Sequence, residues 1–191
     1  MNNSIKFIHT ADIHLGKKLS YSGNPEQELL SLFDSAGQKS LKRLVELGIN
    51  KEVDFIIIAG DLYDREARSV KSSRFFLEQC QKLKEKGIKV YIISGNHDPA
   101  GRKKEPFELP DNVFFFSSEE VEIKDFYKNN KLRARILGQS YRQKFESRSM
   151  YNFYTPEDDA VFNLGILHTG LDADNRRYVP VNKSELLSKE D

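Results

Sequence analysis

The chain has a single cysteine, Cys80, among 191 residues. That excludes an internal disulfide and a zinc site built on a cysteine cluster. No apolar run approaches the roughly 20 residues that a bilayer-spanning helix needs, so no membrane partner is expected. An excess of one charge is missing as well. Thirty Lys and Arg (30) stand against 29 Asp and Glu, for a formal net charge of +1. Bulk charge therefore announces no nucleic-acid partner, and only local clusters can do so. Repeats, low-complexity tracts and interdomain linkers are absent, and the length suffices for one domain with a real core. A single domain over 1–191 is the expectation. Met1-Asn2-Asn3-Ser4 runs directly into the first apolar stretch, which leaves no room for a leader and points to a cytoplasmic protein.

What is present centres on Val53-Asp54-Phe55-Ile56-Ile57-Ile58-Ala59-Gly60-Asp61-Leu62-Tyr63-Asp64. A β-branched, apolar run of this kind reads as a strand buried on both faces, at the centre of a parallel sheet. Gly60 permits a sharp turn at its carboxyl end, and Asp61 follows in the crevice where open α/β sheets hold ligands. The same pattern recurs at Val90 to Asp98 and, in related form, at Ile5 to His14. Between these strands lie two helical stretches. The first is expected to start with Asn24 as N-cap and Pro25 inside it, to bury Leu29, Phe33, Ala36, Ser40, Leu44 and Leu47, and to stop at Gly48. The second is capped by Ser69, buries Phe76, Cys80 and Leu83, and is closed by Gly87. This βαβαβ order demands a parallel sheet.

The second half changes character. Val113 to Phe116 reads as a short strand, and Val121 to Tyr127 and Leu132 to Leu137 as a hairpin around Asn129-Asn130. Gln139 to Asp159 reads as a long polar and aromatic loop. Val161 to Leu167 is a further strand that ends at His168, and Ser184 begins a last helix. Two sheets follow from this order, one largely parallel and one with more antiparallel pairing, flanked by helices, with the site in the loops at one end of the strands.

Asp12-x-His14, Gly60-Asp61-x-x-Asp64, Gly95-Asn96-His97-Asp98 and His168, in that order and each at a strand end, resemble the calcineurin-like metallophosphoesterase superfamily. His9-Thr10-Ala11-Asp12-Ile13-His14-Leu15-Gly16 with Gly60-Asp61-Leu62-Tyr63-Asp64-Arg65 is similar to its DNA repair exonuclease branch, the SbcD type. The resemblance implies the four-layer metallophosphoesterase sandwich of two mixed β-sheets flanked by helices. It also implies two divalent metal ions, usually manganese, and hydrolysis of phosphodiester bonds in DNA during double-strand-break repair. On that pattern Asp12 and His14 hold one ion, Asn96 and His168 the other, and Asp61 bridges them. Carboxylate, amide and imidazole donors suit a hard divalent ion. Two ions ~3.5–4 Å apart clamp both the attacking and the leaving oxygen of the diester. His97 resembles the family's catalytic histidine, which protonates the leaving oxygen, and Asp64, or Asp98, would orient its ring. Implied partners are DNA, an SMC-like ATPase and often a second copy of the chain.

The family pattern includes a later Gly-His-x-His motif. The four histidines, His9, His14, His97 and His168, do not supply it, so a chain truncated at its C-terminus, with each ion short of one protein ligand, is expected. His9 lies inside the first strand and reads as a core or supporting residue. Basic residues trail every motif: Lys17 and Lys18, then Arg65, then Arg102, Lys103 and Lys104, and finally Arg176 and Arg177. As a group they suit DNA phosphates, although charged loops are ordinary. The interleaved aromatic and basic residues from Tyr141 to Tyr154 suit either stacking on unpaired bases or packing against further chain. Two rival readings remain: a phosphodiesterase for small or cyclic phosphodiesters, and a non-catalytic DNA-binding module.

Overall fold

The computed structural model describes residues 4–17, 23, 26–64, 69–100, 107–156, 161–172 and 177–188, with side chains left out at 27, 28, 31, 33 and 34. In chain order the elements are β1 (Phe7–Thr10), α1 (Gln27–Asn50), β2 (Phe55–Ala59), α2 (Val70–Lys84), β3 (Lys89–Ile93), β4 (Val113–Phe115), β5 (Glu122–Lys128), β6 (Lys131–Gly138), β7 (Phe162–Ile166) and α3 (Lys183–Leu187). They form two compact units, residues 1–92 with 104–114, and residues 93–103 with 115–191.

The first unit is built on a four-stranded parallel sheet, in the order β1-β2-β3-β4. All five residues of β2 are buried, as its unbroken β-branched run requires. Phe7 stacks on Phe55 (5.2 Å), Phe55 meets Tyr91 edge-on (5.5 Å) and Tyr91 stacks on Phe114 (5.3 Å). One aromatic row thus crosses all four strands, each pair adding to the pairing of its neighbours. β1 lies at the sheet edge and pairs with β2 from Phe7↔Phe55 to Thr10↔Ile58. His9 is therefore exposed rather than in the core.

The helices correct the sequence reading in several places. α1 begins at Gln27 after Glu26, which makes no side-chain cap bond; Asn24 and Pro25 lie outside the described residues. Its buried stripe is Leu41 and Val45 with Gly48. Of the expected face, Ala36 and Leu44 are half-buried, Leu29, Ser40 and Leu47 are exposed, and the Phe33 side chain lies outside the described residues. Gly48, buried with that stripe, marks a close approach and not a stop. A Cβ there would sit 3.2 Å from Ile56 Cδ1 and 3.6 Å from Ile8 Cδ1. The left-handed stop falls on Glu52 (φ 50°). The Val53 amide donates to Gly48 O and the Glu52 amide to Ile49 O, the paired bonds of a Schellman ending. α2 follows its sequence. Ser69 Oγ accepts from the Ser72 amide (3.1 Å) and Ser72 Oγ from the Ser69 amide (2.9 Å). Phe76, Cys80 and Leu83 are buried. Gly87 (φ 69°) closes the turn, with bonds from Gly87 N to Lys84 O and from Ile88 N to Leu83 O.

The second unit carries the sheet β5-β6-β7. β5 and β6 are antiparallel and β6 and β7 parallel. Asn129 (φ 55°) and Asn130 (φ 58°) make the hairpin turn, as two left-handed central residues require. Gly138, at the end of β6, lies under the Phe116 ring, and a Cβ there would come within 2.7 to 2.9 Å of three ring atoms. Gly138→Ala is expected to cost about 1–3 kcal/mol through this overlap; urea unfolding measures it, and an unchanged midpoint would show that the ring simply moves aside.

Residues 139–156 hold more regular structure and packing than a surface loop. A 3-10 turn spans Met150–Phe153, and Tyr141, Met150 and Val179 form a small core with Tyr154, Leu167 and Tyr178 packed on it. Glu146, buried, is gripped by Arg148 through Nε–Oε1 (2.8 Å) and Nη2–Oε2 (2.7 Å). Burial pushes the Glu146 carboxyl up, but the Arg148 guanidinium outweighs it and holds the carboxyl below its ordinary value. A carboxyl depressed on folding stabilises at pH above its unfolded value, and that stability is lost as pH falls through the lower folded one. Glu146→Ala is expected to destabilise by about 1–3 kcal/mol at pH 7, since it removes a charge-assisted pair while Arg148, partly exposed, keeps its bond to Ser118 O, and by less in acid. Equal losses in urea unfolding at pH 7 and in strong acid would contradict this. α3 is capped by Asn182, which exchanges bonds with Glu185, so the helix starts one residue before Ser184.

Candidate metal centre

In the first unit the ends of β1 and β2 continue side by side beyond the regular sheet. The Asp12 amide donates to Gly60 O (3.1 Å), the His14 amide to Asp61 O (3.0 Å) and the Leu15 amide to Leu62 O (2.8 Å). This zipper forces unusual backbone. Asp12 (φ 55°), His14 (φ 47°) and Asp61 (φ 54°) are all left-handed, beside Gly60 (φ 93°) and Gly16 (φ 94°). Non-glycine residues adopt such angles at a cost of order 1 kcal/mol each, and the cost concentrates at functional sites. Its effect is to gather four side chains. His14 Nε2 lies 3.7 Å from Asp12 Oδ1 and 3.7 Å from Asp61 Oδ2, and its Nδ1 lies 3.9 Å from Asp64 Oδ2. Asp61 is buried, His14 half-buried and Asp12 open to solvent.

The donor set fits a divalent cation. Asp12 and Asp61 bring carboxylate oxygens within 4.8 Å of each other, and like charges so placed repel until a cation screens them. Two carboxylates and one imidazole, without thiolate, are ligands for hard or borderline ions. Asp64 has a second neighbour, Lys17 Nζ at 3.3 Å. Lys17 thus contacts an acidic residue of this cluster, a pairing that the simple run of charges after the first motif did not signal.

In the second unit Asn96, His97 and Asp98 occupy the half-buried turn after β3. Asp98 Oδ1 accepts from the Gly95 amide (2.7 Å), which fixes the turn. His168, at the end of β7, brings Nε2 to 3.1 Å from Asn96 Oδ1. Two sequence-predicted ligands, 72 positions apart, are thus in contact. Sequence reasoning missed the residue that supports them. The Tyr141 ring meets His168 edge-on at 5.5 Å. The Tyr141 amide donates to Ser94 O and its carbonyl accepts from the Ala100 amide, both at 2.9 Å, so Tyr141 pins both ends of the Gly95–Asp98 turn. Ser140 Oγ accepts from the Ser94 amide (3.0 Å) and donates to Phe116 O (2.7 Å). Only the place of Tyr141, just past a buried strand end, hints at this, since no motif contains it.

Among the basic residues expected to face DNA, Lys18, Arg65, Arg102, Lys103, Lys104 and Arg176 lie outside the described residues. Arg177 is exposed and lies over the ring of Phe145.

Comparison with known proteins agrees with this chemistry. The pattern of the Calcineurin-like phosphoesterase family matches residues 5–188. The chain belongs to that family of metal-dependent phosphoesterases. It is similar to a protein of Bacillus subtilis (strain 168) described as "Uncharacterized metallophosphoesterase YhaO", at 33% identity over 98% of this chain and 46% of that protein. It is also similar to two proteins named "DNA double-strand break repair protein Mre11". The one from Methanocaldococcus jannaschii is 27% identical over 92% of this chain and 45% of its own length. The one from Archaeoglobus fulgidus is 26% identical over 81% of this chain and 37% of its own length. The chain spans less than half the length of these relatives. Among the described residues, no helix is long and apolar enough to cross a membrane.

Proposed function

We propose that the chain is the catalytic part of a metal-dependent DNA phosphodiesterase, an exo- or endonuclease acting in double-strand-break repair. The observation that carries this reading is the strained zipper that gathers Asp12, His14 and Asp61 around one point. Similarity to the Mre11 proteins over most of the chain supports DNA as the substrate.

In this reading Asp12 and His14 serve one divalent ion, Asn96 and His168 a second, and Asp61 both, with manganese as the ion. Ions so held supply, when bound, charge that polarises the phosphate and activates the attacking water at neutral pH. The chain's own residues do the rest. The zipper of β1 and β2 holds Asp12, His14 and Asp61 in place before substrate arrives, so no reorganisation is needed at the moment of reaction. Tyr141 and Ser140 fix the turn that carries Asn96 and His97. His97 gives a proton to the leaving oxygen, and Asp64 keeps its ring in the required tautomer. Lys17 places a positive charge 3.3 Å from that carboxylate. DNA, an SMC-like ATPase and a second copy of the chain are the proposed partners.

The competing reading, a small phosphodiester as substrate, is separated by relative rates. An enzyme shaped for DNA uses contacts remote from the scissile bond, so kcat/KM for a duplex oligonucleotide is expected to exceed that for bis(4-nitrophenyl) phosphate by about 100-fold or more. A preference for the small diester would make it the substrate class.

A further inference from the structure

Resting on the reading of DNA as substrate, we propose that Phe145, with Lys144 and Arg177, is a stacking platform for the bases of single-stranded nucleic acid. Phe145 is 48% exposed, yet it is rigidly mounted. Its neighbour Glu146 is buried in the two-pronged grip of Arg148. The Glu146 amide donates to Arg177 O (2.8 Å) and Glu146 O accepts from the Val179 amide (2.6 Å). The strap from Arg177 to Val179 therefore pairs with the Phe145 segment as a short strand would. Val179 is fully buried in a left-handed conformation (φ 43°). A β-branched residue keeps that backbone only where its surroundings overdetermine it.

On this mount the cations sit over the aromatic ring. Arg177 Cζ lies 5.6 Å and Lys144 Nζ 5.8 Å from the Phe145 ring centroid, and Tyr178 flanks it at 5.9 Å. Lys144 and Arg177 are both exposed. A half-exposed ring held rigid and flanked by two cations from separate segments is a poor solvated surface, but it has the parts that single-strand binders use: an aromatic face for the base and positive charge for the phosphates. Exposed cation–ring contacts are weaker than base–aromatic stacking. A base can therefore displace a cation from the ring, and the displaced cation stays within reach of the adjacent phosphate. Paired bases in a duplex offer no free face, so the platform favours unpaired ends.

The test is fluorescence anisotropy of a labelled oligo(dT) 12-mer and of a 12-base-pair duplex, each with the protein in EDTA. Phe145→Ala is expected to weaken oligo(dT) binding about tenfold, within the roughly 5–150-fold that stacking on one aromatic residue is worth, with duplex binding changed less than about twofold. Phe145→Tyr should restore it. Lys144→Gln is expected to lower the salt slope of oligo(dT) binding by about 0.7, the value for one phosphate contact on a single strand. Thermal unfolding of each variant shows whether the fold is kept; Phe145→Ala should leave it unchanged. Equal oligo(dT) affinity in wild type and Phe145→Ala, or no binding by the wild type, overturns the platform. Either result leaves the nuclease reading to manganese-dependent duplex cleavage, measured separately. If the wild type binds no oligo(dT) and cleaves only the small diester, both fall.

Discussion

Asp61→Ala is expected to abolish high-affinity manganese binding, with loss of both ions rather than one. Asp61 is buried, left-handed and 3.7 Å from His14 Nε2, and the proposed roles make it the ligand common to both ions. Loss of a supporting partner alone costs about 10–100-fold in affinity, and loss of a shared ligand is expected to cost more than about 100-fold. Isothermal titration with manganese measures it. One ion bound at full occupancy in this variant would mean that Asp61 does not bridge. The position also has a stability signature. Removing the charge of a carboxylate whose oxygen lies within 4.8 Å of one on Asp12 relieves repulsion. Alanine is strained at φ 54°, where asparagine is tolerated, so it is Asp61→Asn that is expected to unfold no earlier than the wild type in EDTA. A fold that needs the Asp61 side chain for other reasons would unfold earlier.

His97→Ala is expected to lower cleavage by about 10²–10⁴-fold, the range for loss of a positioned general acid, with manganese binding intact. The dissociation of effects is the informative part. His97 occupies the turn that also carries Asn96, and that turn is held by backbone bonds from Tyr141 and by the Asp98 carboxylate. Removing the imidazole should therefore leave Asn96 in place. Retained cleavage would remove His97 from the mechanism, and lost manganese would make it a ligand.

The sheet-forming segments and the motif residues were legible in the sequence because their signals are local. The run Phe55 to Ala59 admits little but a doubly buried strand, and Asn129-Asn130 little but a tight hairpin turn. Ser69 and Gly87 bracket α2 by side-chain and backbone preferences that act within one turn. Misreadings arose where tertiary packing decides. Gly48 has the composition of a helix stop, but the neighbouring Ile56 and Ile8 side chains need the space its missing Cβ leaves. The fully buried stripe of α1 lies on Leu41 and Val45, one position along from the expected face. His9 follows the alternation of a core strand, yet β1 is an edge strand, and edge position is not written in a strand's own residues. Tyr141 was legible only as one aromatic among several, since its contact with His168 spans two segments that no local pattern connects. The left-handed conformations of Asp12, His14 and Asp61 were equally out of reach, because the pairing of two strand ends imposes them.

The central claim, a metal-dependent DNA phosphodiesterase, is tested most directly by manganese-titrated cleavage of an end-labelled DNA duplex, with His97→Ala as the control. Cleavage that rises and saturates with manganese, and disappears in the control, is the expected result. Absence of cleavage at every manganese concentration, in a protein shown by titration to have bound the metal, would contradict it.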